Sequence, residues 1–181
     1  MPKRNSQPTV QTTAWRNRKE PVDFGSALVE AFLTNDRINQ ILIDSLEAAI
    51  WREQPPCAKR RNIATTFAHI HNVRAMRIGM SMKGIKPAKL ERADVTPREA
   101  KEALAESART MAKLIHKSVE SGGHVPAFRP DVVALVCSAI GHEAHHRGQI
   151  CHWARELGAP LTQEQQLKIW EWDKVWREVL V

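Results

Sequence analysis

The sequence predicts an all-α protein: a four-helix bundle with an additional short C-terminal helix, behind a disordered basic N-terminal tail. Three observations predict it. Apolar residues recur at steps of three or four along four long stretches, no segment alternates with period two, and capping residues bracket the stretches. At 181 residues the chain has the length of one domain, and it can bury a core without disulfides. We read residues 1–21 as the tail and 22–181 as the helical domain.

The tail is rich in Pro, Gln, Thr and Asn, a composition that buries little. Residues 1–20 carry five basic residues against Glu20, a net of +4 out of the formal +7, so only +3 remains on the other 161 residues. A folded nucleic-acid binder places its basic stripe on the ordered domain, and that function class is disfavoured. No apolar run reaches the ~18 residues of a membrane span, and no signal peptide is read. Three cysteines, Cys57, Cys137 and Cys151, cannot all pair, which suits the cytoplasm. Cys137 and Cys151 are expected as buried packing residues.

The first helix is expected from Asp23 to about Glu53, before Pro55-Pro56, with a stripe of Leu28, Phe32, Ile38, Leu42, Leu46 and Ala49 that Asn35 interrupts. The second runs from about Asn62 to Met82 and stops at Gly84. Thr96-Pro97-Arg98-Glu99 announces the third with a capping box and a proline at its first position, and Gly122-Gly123 end it. The fourth opens at Pro130-Asp131 and continues to Leu157, closed by Gly158 and Pro160. A fifth, shorter helix follows Thr162 and carries Trp170, Trp172 and Trp176, expected as docking surface.

The chemistry is read on the fourth helix. Its seam runs Leu135, Ala139, His142, His146, Ile150, Trp153, Leu157, so two imidazoles occupy adjacent turns of a stripe that otherwise wants leucine or valine. Residues i and i+4 lie on one face, close enough to converge on one metal ion. Two buried neutral imidazoles would each need a hydrogen-bond partner, whereas one divalent ion satisfies both. His145, beside the seam, is the substitute. A third ligand is expected from the second helix: His69, which shares a stripe with Val73, Met76 and Met80, is preferred over His71, which points about 200° away.

His69-Ile-His-Asn-Val-Arg74, together with His142-Glu-Ala-His-His-Arg-Gly-Gln149, resembles the DinB-like (damage-inducible) family of helical metalloenzymes. The resemblance extends to Thr34-Asn-Asp-Arg-Ile-Asn39 and to Trp170-Glu-Trp-Asp-Lys-Val-Trp176 and leaves out the tail. It implies a bundle holding one divalent metal on His69, His142 and His146, the same three residues that periodicity favours. It also implies a homodimer, and chemistry of the thiol-dependent transferase or isomerase kind.

A rival motif overlaps it. His142-Glu-Ala-His-His146 satisfies the H-E-x-x-H zinc-peptidase signature, in which Glu143 would be the general base. The longer version fails, because Gln149 stands where its turn glycine belongs. Glu143 is instead expected on the helix flank, pairing with Arg147 at the surface, with no carboxylate on the histidine-bearing seams. Asn35, Glu143 and Gln149 are candidates to support the ligands or touch substrate.

The expectation for function is a metal-dependent enzyme that activates water or a low-molecular-weight thiol for a small-molecule substrate. Three histidines suit zinc or nickel, with iron, cobalt or copper as further candidates. The competing class is a non-catalytic, stress-associated metal-binding protein.

Overall fold

The computed structural model describes residues 21–56, 58, 61–91 and 94–179. The tail expectation therefore falls almost wholly outside the described residues, as does Cys57. Within them the chain is helical: α1 (Phe24–Ser45), α2 (Ile63–Ser81), α3 (Pro97–Glu120), α4 (Val132–Glu156), α5 (Gln163–Lys168) and α6 (Trp172–Val179). Among the described residues no helix is long and apolar enough to cross a membrane.

The helix boundaries follow local chemistry. Asp23 caps α1 through Gly25 and Ser26, Asn62 forms a capping box with Thr65, Thr96 one with Glu99, and Asp131 caps α4 through Ala134. Each side-chain oxygen accepts from a backbone N–H that has no partner inside the helix. At the end of α3, Gly122 and Gly123 adopt φ of 68° and 89°, and the Gly123 amide donates back to the Ser118 carbonyl. That left-handed turn is the conformation glycine takes without a Cβ clash.

Two elements depart from expectation. α1 stops at Ser45 rather than about Glu53, and a 3-10 turn over Ala48–Ile50 follows. A continuous helix would put Trp51 about half a turn away from Leu42, facing solvent. The break re-aims Ile50 and Trp51 inward. Trp51 stacks on Phe67 with ring centroids 5.4 Å apart, and its indole N–H donates to the Val95 carbonyl at 2.8 Å. Ala49, expected on the buried stripe, is exposed. The C-terminal segment is two short helices rather than one.

α1 and α2 occupy opposite corners of the bundle, each packed against α3 and α4, while α5 and α6 brace α1. The brace is polar at its edges. Trp176 donates to Glu30, Arg37 pairs with Glu178, and the Gln165 amide reaches the Ser45 carbonyl. Trp172 and Trp176 are half-buried while Trp170 is 78% exposed, so only part of the tryptophan cluster docks.

The core is divided. One apolar cluster gathers Leu42, Trp51, Phe67, Leu104, Ile150 and Trp153; the other gathers Phe32, Ile78, Met111, Ile115, Leu135 and Val136. Between them every helix of the bundle contributes buried polar residues: Asn35, Asp36 and Asn39 from α1, Arg74 from α2, Ser107 from α3, and Glu143, His146 and Arg147 from α4. The candidate site is built on that layer.

Candidate metal centre

His142 and His146 stand one turn apart on α4, and His69 faces them from α2. The three imidazoles converge. His142 Nε2 lies 3.2 Å from His69 Nε2 and 3.1 Å from His146 Nε2. The three ligand atoms all fall within 4.8 Å of one another. A metal with nitrogen ligands at about 2.0–2.1 Å separates those nitrogens by roughly 3.1–3.4 Å, and the two spacings from His142 fall in that range.

Protonation chemistry points the same way. With the Gln149 amide oxygen 2.8 Å from His146 Nδ1, that nitrogen donates and the lone pair of His146 sits on Nε2, aimed at the cluster. A single N–H on His142 Nε2 serves one of its two close contacts well, whereas a cation accepts all three lone pairs at once. Gln149, one of the supporting candidates, therefore does contact a cluster imidazole. Gln149→Leu is expected to weaken metal affinity about 10–100-fold, the usual effect of losing an outer partner, measured by competition with a chelator.

Two of the imidazoles, His142 and His146, are shifted toward the neutral form that binds metal. Burial pushes the His142 pKa below its ordinary 6.5, assisted by the charges of Arg61 and Arg77 and opposed by Glu143. Burial likewise lowers His146, with Arg61 adding to the effect and the Gln149 bond opposing it. His69 and His142 are only half-buried, so the cluster sits at the edge of the bundle between α2 and α4.

The two other candidate histidines, His71 and His145, lie elsewhere. His71 is buried, with Nδ1 3.0 Å from the Ala103 carbonyl and Nε2 2.9 Å from the Ala88 carbonyl, tying the α2–α3 loop to α3. His145 is exposed and lies outside the ligand group. One supporting reason fails, however: Met76 and Met80, the apolar companions expected beneath His69, are exposed. The buried face of α2 runs instead through Phe67, Ile70, Arg74 and Ile78, and His69 borders it.

Glu143 and Arg147 correct the expectation most. Neither is a surface residue. The Glu143 carboxylate is buried and accepts from Asn35 at 2.6 Å, Asn39 at 2.7 Å, and Arg74 Nε and Nη2 at 2.7 and 2.6 Å. Arg74 also reaches Asp36 at 2.6 Å, and Arg147 donates to Asn39 at 2.8 Å. Burial alone would raise the Glu143 pKa, but the Arg74 guanidinium, with hydrogen bonds from Arg74 and Asn39, outweighs it and holds the carboxyl below the ordinary range. A carboxylate so charged and so saturated is a poor general base. The H-E-x-x-H reading loses its catalytic residue, and Asn35 and Glu143 support the helices rather than touch the imidazoles. Asn35 Oδ1 is the one buried side-chain polar atom without a partner among the described residues.

Cys137 is exposed and Cys151 partly buried, and both thiols are free, so the packing expectation fails for Cys137. The network around Arg74, Asp36, Asn39 and Arg147 was not anticipated. Its signal was available as charged and amide side chains at helical steps that otherwise carry core residues.

The chain's relationships agree with this architecture. A family model described as the DinB family matches residues 17–172. No curated protein and no solved structure matches the chain.

Proposed function

The chain belongs to the DinB family, and from that membership and the three converging imidazoles we propose that it is a metal-dependent enzyme that activates a low-molecular-weight thiol, or water, against a small-molecule substrate. The observation that carries the reading is the set of three Nε2 atoms, with Nε2–Nε2 spacings of 3.2 and 3.1 Å. Three neutral imidazoles would hold a divalent ion, zinc or nickel first among the candidates, without offsetting its charge, and the ion would supply Lewis-acid activation.

The protein's own residues orient and isolate. Gln149 fixes the His146 ring, and the Arg74–Glu143 network anchors α4 between α1 and α2. Because Glu143 is saturated, no free carboxylate stands ready beside the cluster among the described residues to take a proton. A thiol, with an ordinary pKa of about 8.5, loses its proton to solvent far more readily than water does. That favours the thiol over water. The free thiols of Cys137 and Cys151 suit a reduced, cytoplasmic setting, and the family resemblance supports a homodimer.

The test is cobalt substitution. Adding glutathione or 2-mercaptoethanol to the cobalt-loaded protein is expected to produce a thiolate-to-metal charge-transfer band. Failure of every thiol, with metal removal unfolding the bundle, would favour the structural reading, which needs a fourth protein ligand.

A further inference from the structure

Beside His142 the contact between α2 and α4 opens into a cavity of about 90 Å³, lined on its polar side by Arg74, Arg77, Ser138, His142 and Glu143. Most of that charge is already matched. Asp36 and Glu143 balance Arg74 and Arg147, and Arg74 directs Nε and Nη2 to Glu143 and Nη1 to Asp36 and the Leu104 carbonyl. Arg77 is different. Its guanidinium lies 4.8 Å from the Phe128 ring centroid, and among the described residues it has no carboxylate partner. The ring positions that cation without neutralising it. The rest of the wall is apolar, formed by Val73, Met111, Leu135 and Ala139.

We propose that this cavity takes the carboxylate of a small organic acid, one end on the Arg77 guanidinium and the Ser138 hydroxyl and the alkyl stem on the apolar wall. This names the substrate class for the site beside the imidazoles and rests on that reading. The guanidinium fork matches the two oxygens of a carboxylate. A phosphate dianion would need more than one unmatched cation and one hydroxyl to replace its hydration. The volume accommodates about three or four heavy atoms, a carboxylate and the start of its stem.

Isothermal titration of the metal-loaded full chain with propionate, propionamide and methylphosphonate tests the proposal, with metal content counted separately and helicity checked for each variant. Propionate is expected to bind, and the other two to bind more weakly. Arg77→Met is expected to lose propionate affinity roughly 10–100-fold, the effect of one charge-assisted pair, at unchanged metal content. Arg77→Gln and Ser138→Ala, which preserve bulk, should weaken it in the same sense. Propionate binding that is absent in wild type or indifferent to residue 77, or propionamide or methylphosphonate binding as tightly as propionate, would overturn it. Binding dependent on Arg77 in a protein that holds no metal would retain the carboxylate pocket and remove the metal reading instead.

Discussion

His142→Ala is expected to abolish stoichiometric metal binding, from one ion per chain to a trace after dialysis. His142 Nε2 is the atom common to both close contacts, 3.2 Å from His69 and 3.1 Å from His146. Its loss leaves two nitrogens from different helices with no third donor between them, so the deficit should exceed the roughly 10–100-fold attached to an outer partner. The fold should tolerate the change, because His142 is half-buried and hydrogen-bonds outside the Glu143 network. Elemental analysis beside circular dichroism separates the two effects. Retained metal in a folded variant would remove His142 from the site.

Glu143→Gln is expected to produce the largest loss of stability, about 3–5 kcal/mol, the range for breaking a buried charge pair from one side. The substitution preserves shape. It removes the negative charge that receives Arg74 in two bonds and turns one acceptor into a donor facing other donors. Arg74 and Arg147 would then face only Asp36. Against a total stability of about 5–15 kcal/mol, such a loss shifts urea unfolding far to the left. Combined with Arg74→Met the effects should be less than additive, since the second change removes the cation that the first leaves unmatched. A loss near zero would mean that the carboxylate does not organise the polar layer.

The same residue sets an acid limit. Its folded-state pKa is held below the ordinary 4.5, so its contribution is complete above about pH 4.5. It disappears as pH falls through the folded value, because the unfolded chain then binds the proton more readily. Glu143→Gln should flatten that part of the stability profile.

Much of this architecture was legible in the sequence because its signals are local. Thr96-Pro-x-Glu99 announces a helix start and forms the capping box its spacing allows. The histidine pair was legible for the same reason: a spacing of four on one helix fixes two side chains relative to each other whatever surrounds them. What was misread depends on partners distant in sequence. The break after Ser45 carries no glycine or proline; it exists because Trp51 finds Phe67 and the Val95 carbonyl. Glu143 reads as a flank residue on α4 alone, since nothing there reveals that Asn35, Asn39 and Arg74 meet it from two other helices. The buried face of α4 is also broader than the seam, taking in Val136, Glu143, Arg147 and Ala154 beside Leu135, His146, Ile150 and Trp153, which is why Arg147 reads as a surface residue from the sequence. His69 rather than His71 lies beside His142, although Met76 and Met80, the apolar companions its stripe requires, are exposed.

The account stands on one convergence, that of His69, His142 and His146 on a single cation, and X-ray absorption at the metal edge of the loaded protein measures it directly. The expected spectrum contains three imidazole nitrogens at about 2.0–2.1 Å, falling to two in His69→Ala. A spectrum dominated by sulfur near about 2.3 Å, or one with the same imidazole count in wild type and His69→Ala, would contradict it.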